Sequence, residues 1–356
     1  MRVALVGPPQ SGKSTLFAAV AQAGGSHVDV SRADQPHLAV VKVPDDRVGW
    51  LADHYKPKKT TFAELEFLDL PGFDLADEVG RNRARAHWAA MRQSDMLVFV
   101  VRDFQDAAVP PYRNRVDAAS DVQELLGEML FADLDQVSAR IDKLNAALKK
   151  PTAKKDEQAK ELDLMTRLKD ALEAEKPIAD AVKTEAEAKL LRSFAFLTLK
   201  PTLIVLNRAE GGLAAPLPPG MPSLPSLTLS AKIEQEIAQL PAEERSAFLA
   251  DMGVSASARD RLIQACYTQL KLISFLTAGE DECRAWTIVA GADAVTAAGE
   301  IHSDIARGFI RAETVSFDDL KSAGDMKGVK AAGKIRLEGK TYVVRDGDII
   351  NFRFNI

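Results

Sequence analysis

The sequence predicts an α/β protein built on a doubly wound, largely parallel sheet, with an inserted α-helical coiled-coil arm and a small α+β module at its C-terminal end. Three observations carry this. Four apolar runs, Val3 to Val6, Ala63 to Leu70, Met96 to Val101 and Thr202 to Leu206, read as strands, and those without polar alternation suit parallel strands covered on both faces. Helical stretches separate most of them, as a doubly wound sheet requires. A leucine-rich periodicity lies between the third and fourth runs, and after residue 277 the texture changes to short β-like segments.

Taken in order, the first run ends in a Gly/Pro turn. A helix pattern follows from Lys13, with Leu16, Phe17, Val20 and Ala21 on one face. Between the third and fourth runs, Leu126, Leu130, Leu134, Val137, Ile141, Leu144 and Leu148 recur at steps of three or four, a coiled-coil seam. Lys149-Lys150-Pro151-Thr152 breaks it. A second helix follows through Leu162, Met165, Leu168 and Leu172, so the pair reads as an antiparallel hairpin. Its tip carries Lys149, Lys150, Lys154 and Lys155; a solvated turn and a contact for phosphate-rich or acidic partners both fit. Gly211 to Pro225 reads as a loop, and Ile233 to Leu276 as mostly helical. Beyond it, β-like runs lie at Ala285 to Val289, Thr314 to Phe317, Ile335 to Leu337, Tyr342 to Val344 and Ile349 to Phe354. Gly339-Lys340 separates two of these like a hairpin turn. The expected domains are a core of residues 1–120 with 195–274, the arm 121–194, and the terminal module 275–356.

Composition narrows the functional classes. The 356 residues allow two to three domains at about 150 residues each. The formal net charge of −5 disfavours non-specific nucleic-acid binding by overall charge, though not by a local patch. The two cysteines, Cys266 and Cys283, form no CxxC, and the five histidines form no HExxH, which excludes common zinc modules and metalloproteases. The apolar stretch at the N-terminus stops at Gly7, too short for a secretory leader. No run approaches a membrane span. A cytoplasmic protein that touches no membrane is expected.

One motif carries chemistry. Gly7-Pro8-Pro9-Gln10-Ser11-Gly12-Lys13-Ser14 is G-x-x-x-x-G-K-[ST] in full, after an apolar strand and opening a helix. Its glycines let the backbone approach a phosphate, and the amides through Thr15 with the helix N-terminus make an anion site. Lys13 neutralises the β/γ-phosphates, and Ser14 offers an oxygen to Mg²⁺. Asp69-Leu70-Pro71-Gly72 ends the second apolar run as D-x-x-G. Asp69 is the second metal residue, through water, and the Gly72 amide reads the γ-phosphate. After the fourth run, Asn207-Arg208-Ala209-Glu210 stands where GTPases have N-K-x-D. Glu210 is one methylene longer than the aspartate that grips two guanine donors, so guanine preference weakens, while adenine presents an N6 amino donor. Ser230-Ala231-Lys232 fits the last loop beside the base.

With these motifs the chain resembles the YchF / Obg-like ATPase family of P-loop proteins. The resemblance extends over Val43-Pro44-Asp45-Asp46-Arg47, Lys56-Pro57-Lys58-Lys59, Leu190-Leu191-Arg192-Ser193 and Lys200-Pro201. It is most specific in Leu276-Thr277-Ala278-Gly279-Glu280, Arg284-Ala285-Trp286-Thr287, Arg307 through Glu313, Arg336 through Lys340 and Val344 through Asp348. It implies a P-loop NTPase core, an N-x-x-E base loop that prefers ATP, a coiled-coil insertion and a terminal TGS domain of ubiquitin-like, ribosome-linked type. The departures fall where hydrolysis would be arranged. Gln10 replaces the family's usual Asn, the segment Phe73 to Arg81 has few glycines, and Val109-Pro110-Pro111-Tyr112-Arg113 lacks the histidine common in that loop. Phe73 occupies the position where many GTPases orient water with Gln. Thr60 and Thr61 lie within reach of a first switch, but abut the strand.

The leading reading is a regulatory, Mg²⁺-dependent ATPase of slow turnover acting near the ribosome, as a monomer. Lys13 and Gly72 serve hydrolysis, with no arginine finger evident in cis; Arg81, Arg83 and Arg85 read as a solvated helix face. Two rivals stay open: a GTP-preferring GTPase, and a nucleotide-sensing module with little hydrolysis. Basic residues at the arm tip and at Lys321, Lys327, Lys330, Lys334, Arg336, Lys340 and Arg345 point to ribosomal RNA as a partner, without DNA specificity.

Overall fold

The computed structural model describes residues 1–23, 32, 34–150, 154–251 and 256–355. Along the chain run β1 (Arg2–Val6), α1 (Lys13–Ala23), β2 (His37–Lys42), α2 (Asp46–Tyr55), β3 (Lys59–Thr61), β4 (Glu64–Asp69), α3 (Glu78–Arg85), α4 (Trp88–Gln93) and β5 (Met96–Asp103). Then come α5 (Ala118–Leu148), α6 (Lys155–Glu173), α7 (Ile178–Ala181), α8 (Glu185–Leu191), β6 (Thr202–Arg208), β7 (Ser226–Leu229), α9 (Ala231–Gln239), α10 (Ala242–Asp251) and α11 (Ala258–Gln269). The last elements are β8 (Leu272–Thr277), β9 (Glu282–Val289), α12 (Ala294–Ile301), α13 (Ser303–Arg307), β10 (Phe309–Ser316), α14 (Phe317–Ala323), α15 (Met326–Ala331), β11 (Arg336–Glu338) and β12 (Asp348–Phe354).

Contacts divide the chain into two compact units. One contains Met1–Gln22 and Phe67–Phe248; the other contains Val40–Glu66 and Leu249–Ile356. The boundaries fall inside β2 and β4, so the units cut the chain differently from the expected domains.

The first sheet has the order β2-β4-β1-β5-β6-β7. β1, β5, β6 and β7 pair in parallel, with Val6 opposite Phe99, Asp103 opposite Arg208 and Asn207 opposite Leu229. The order reverses at β1, between β4 and β5. That is a topological switch point, where the loops at the carboxyl ends of the strands leave a crevice for a ligand. The four apolar runs are all strands of this sheet. All residues of β6 and the first seven of β5 are buried, as two-sided cover requires. Phe73, Leu97, Phe99, Val122, Ile204 and Leu206 fill the core on one face, so the base of α5 is rooted in the sheet. Beyond this root α5 and α6 pair as a helical hairpin. Val137 and Leu144 of the periodic seam are buried with Met165, Leu168 and Leu172, and Leu130, Leu134 and Ile141 pack against them. Leu126 belongs to the sheet core instead. Ile178, Leu191 and Phe196 close the hairpin cluster from the segment after α6. Pro151 and Thr152 of the expected break lie outside the described residues.

The second sheet has the order β11-β10-β12-β8-β9-β3. β12 lies antiparallel to β10, and β8 antiparallel to β9; β3 joins β9 in parallel, Thr60 opposite Cys283. Helix was expected through Leu276, but Leu272–Thr277 is a strand. Lys271, at φ +53°, ends the α11 segment, and the apolar run beyond it is flanked by β9 and β12. The other β-like runs appear as β9, β10, β11 and β12, except that Phe317 opens α14. Tyr342–Val344 makes only an isolated bridge, Val343 to Asp293, so no strand pair forms across Gly339-Lys340; β11 pairs with β10. Phe275, Ile288, Ala297, Phe309, Ala312 and Phe352 form this unit's core. Both cysteines are buried and unpaired. No helix among the described residues is long and apolar enough to cross a membrane.

Candidate functional site

The phosphate-loop sequence connects β1 to α1 at the switch point. Its glycines answer to close packing. A Cβ on Gly7 would lie 2.2 Å from the Val100 carbonyl oxygen of the neighbouring strand. Gly12 has φ +85°, and its Cβ would meet Asn207 Nδ2 at 2.1 Å. Gln10 also holds a positive φ of 60°, so the loop turns twice through the left-handed region within three residues. Gly72 presses on the same loop, a Cβ there lying 3.1 Å from Pro9 Cα, and the Phe73 amide donates to the Gly7 carbonyl at 2.9 Å.

Lys13, Ser14 and Asp69 converge at the start of α1. Lys13 Nζ donates to Asp69 Oδ1 and to the Leu70 carbonyl, and Ser14 Oγ donates to Asp69 Oδ2 at 2.8 Å. Lys13 is 5% exposed; burial pushes its pKa down, opposed by the carboxylate of Asp69. A hydroxyl and a carboxylate brought together are hard oxygen donors of the kind Mg²⁺ takes when it keeps waters and shares substrate phosphates. No cluster of three or more metal-ligating side chains occurs among the described residues. The hydroxyl of Ser14 and the carboxylate of Asp69 fit a metal that shares substrate phosphates.

Beside this cluster lies a cavity of about 650 Å³, within the usual range for small-molecule sites. Of the residues singled out from sequence, Gln10, Gly12, Thr15, Asn207, Arg208, Glu210, Ser230, Ala231 and Lys232 all line it. Asn207 joins the two halves: its Nδ2 donates to the Ser11 carbonyl and its Oδ1 accepts from the Ala231 amide, both at 2.9 Å. Ser230 caps α9, and Ser11 Oγ is buried without a hydrogen-bond partner among the described residues.

Arg208 differs from the lysine it replaces in the sequence pattern. Its guanidinium is buried and committed to protein: Nε to Asp103 Oδ2 at 2.6 Å, and the terminal nitrogens to the carbonyls of Gly212, Ala215 and Pro216. Arg208 thus clamps the loop that begins with Glu210. One strand over, Arg102 does the same for the loop after β5, donating to the carbonyls of Phe104, Val109 and Pro110. Two buried arginines in adjacent register fix two loops of the cavity, using the forked donors that Arg alone offers.

The sequence reading missed Phe104, Gln105, Asp106 and Val109, which line the cavity from the loop after β5. Their signal was positional, a loop at the carboxyl end of a strand beside the switch point. It also missed His87, which sits beside Phe73 with ring centroids 6.1 Å apart. Burial, and then the charge of Lys13, lower its pKa. The loop after β5 lacks a histidine; His87 stands in the turn before α4.

A family model described as a 50S ribosome-binding GTPase matches residues 2–132. The model for the C-terminal part of YchF GTPases, described as a protein of unknown function (DUF933), matches residues 272–355. The chain is 40% identical over 366 residues to the ribosome-binding ATPase YchF of Bacillus subtilis (strain 168), covering 99% of this chain and 98% of that protein. It is 33% identical over 369 residues to Obg-like ATPase 1 of Caenorhabditis elegans, with coverage of 100% and 92%. Among solved structures, the YchF GTPase of Schizosaccharomyces pombe is similar with a TM-score of 0.87 at 28% identity, covering 99% of this chain and 97% of that one.

Proposed function

The chain belongs to the YchF / Obg-like ATPase family, a P-loop NTPase lineage, and from that premise we propose that it binds ATP with Mg²⁺, hydrolyses it slowly, and acts at the ribosome in the cytoplasm. The observation that carries the reading is the meeting of Lys13, Ser14 and Asp69 beside a cavity of nucleotide size. Ser14 and Asp69 would hold Mg²⁺, which would offset charge on the phosphates. Lys13, released from Asp69 by an arriving phosphate, pairs with the β/γ-phosphates. The amides from Gly12 to Thr15 hold phosphate oxygens, and the Gly72 amide meets the γ-phosphate. Hydrolysis of this kind depends on positioning and charge stabilisation. Asn207 joins the phosphate loop to the base loops, and Glu210 faces the base. The helical hairpin is the inserted arm, and the segment from residue 275 is a TGS-type module.

The names of the relatives divide between ATPase and GTPase, so a GTP-preferring enzyme is the second reading. Affinities for fluorescent ATP and GTP analogues, with and without Mg²⁺, separate the two. ATP should bind at least tenfold tighter, and Glu210→Asp should move the ratio toward GTP. A tenfold GTP preference in the unaltered chain would overturn the base assignment. Lys13→Ala should abolish phosphate release; equal release from both proteins would overturn the hydrolysis assignment.

A further inference from the structure

We propose that Tyr112 is a positioning residue for the γ-phosphate-sensing loop, tying the segment after Gly72 to the base of the helical arm; the proposal rests on the hydrolysis reading above. Residues 73–77 form no helix or strand and are fixed by discrete bonds. At one end the Phe73 amide holds the Gly7 carbonyl of the phosphate loop at 2.9 Å. Two residues later the Leu75 amide donates to Tyr112 Oη at 2.7 Å, and that same hydroxyl donates to Asp74 Oδ1 at 3.0 Å. The phenol therefore spends its acceptor and its donor on adjacent residues of one segment, which a phenylalanine cannot do. Asp74 Oδ1 also accepts from the Ala76 amide at 3.1 Å, and the Leu75 carbonyl accepts from Arg81 Nε at 3.3 Å.

The other side of the tie reaches the arm. Arg113 pairs with Glu124 of α5 at 2.5 Å, and Arg81 lies 3.7 Å from Glu128 one turn on. Arg113 and Asn114 hold φ of +53° and +54°, which non-glycine residues keep only when their surroundings over-determine them. Arg102 clamps the preceding residues from the buried end of β5. A continuous path of main-chain and side-chain bonds thus runs from the phosphate loop through Phe73, Leu75, Tyr112 and Arg113 to Glu124. The Gly72 amide lies just before the tied segment. Its placement follows from the bonds of Phe73 and Leu75, whereas nucleotide affinity resides mainly in the phosphate loop.

The test compares ATP turnover of the full chain with Tyr112→Phe, Asp74→Ala, Asp74→Asn and the Tyr112→Phe/Asp74→Ala double variant, alongside ADP affinity and hydrogen exchange at the Leu75 amide. Loss of a bond that holds a reacting geometry costs about tenfold in rate. Tyr112→Phe and Asp74→Ala should each lower kcat about tenfold, with KM and ADP affinity unchanged and no further loss in the double variant. Asp74→Asn keeps the acceptor oxygen and should turn over like the unaltered chain. The Leu75 amide should exchange faster in Tyr112→Phe at unchanged melting temperature. Unaltered kcat and unaltered Leu75 exchange in Tyr112→Phe would overturn the proposal. If the unaltered chain released no more phosphate than Lys13→Ala, the hydrolysis reading would fall, and Leu75 exchange alone would still decide whether Tyr112 holds the segment.

Discussion

Gly12 illustrates how tightly single residues are specified at the site. Its positive φ and the 2.1 Å approach of Asn207 exclude any side chain, and Asn207 holds both the Ser11 carbonyl and the Ala231 amide. Gly12→Ala should therefore lower stability by about 2–4 kcal/mol in chemical denaturation, from strain and two displaced buried bonds. It should weaken nucleotide binding by more than that stability change accounts for. Asp121 gives a pH signature. In the first turn of α5, burial pushes its pKa up to about 6, with Arg115 opposing. The folded state then binds more protons than the unfolded one between about pH 4 and 6, so this group's contribution is full below that window and is lost as pH rises through 6. Relative to Asp121→Asn, the unaltered chain should lose about 2 kcal/mol between pH 4 and pH 7, read as a melting-temperature difference that widens with pH. His87 acts with the opposite sign: its lowered pKa makes protonation costly as pH falls below its ordinary range.

Among elements, α5 serves two cores. Its first turns bury Val122, Leu125 and Met129 against the sheet; its later turns bury Val137 and Leu144 in the hairpin. Asp133 sits at the change-over, fully buried. It accepts from Arg92 at 2.8 Å, from the Leu197 and Thr198 amides, and from the Thr198 hydroxyl. Asp133→Ala leaves a half-buried guanidinium and two amides short of a partner and should cost about 3 kcal/mol. Leu168→Ala, in the hairpin cluster, should cost about 2–5 kcal/mol through its cavity, with ATP affinity retained in the folded protein. The leucine periodicity made the hairpin legible, because a buried stripe imposes helical spacing on the sequence. The transfer of Leu126 to the sheet core was not legible, since periodicity says that a residue is buried but not against what. β3 shows the converse. Lys59-Thr60-Thr61 carries no apolar pattern and is a strand because β9 offers it a parallel edge.

For the whole molecule, the modest net charge hides an uneven distribution. In the C-terminal unit Lys334 pairs with Asp319 at 3.3 Å and Arg336 with Asp348 at 3.0 Å, so two of the cations expected to face RNA are compensated within the protein. Lys327, Lys330 and Lys340 are exposed and enter no ion pair among the described residues. Phe352 fills the core and Phe317 packs on Trp50, leaving Phe354 as an exposed ring. If the proposed ribosome association uses this surface, charge reversal at Lys327, Lys330 and Lys340 should weaken co-sedimentation and flatten its salt dependence, whereas reversal at Lys334 should have a smaller effect. Equal sedimentation of all variants across salt concentrations would remove this surface from the proposed interface.

From the sequence alone, the sheet strands with two-sided cover, the phosphate loop, the Asp69 and Asn207 loops and the helical hairpin could be read. Each leaves a local mark: a run of apolar residues, a fixed motif or a periodic stripe. Tertiary structure alone decided what those residues touch. It gave Arg208 a loop to clamp at the cavity it lines, brought His87 beside Phe73, made a strand of Leu272–Thr277, and set Tyr112 on the segment after Gly72. These outcomes depend on partners distant in the chain, and no local pattern encodes which buried donor meets which acceptor.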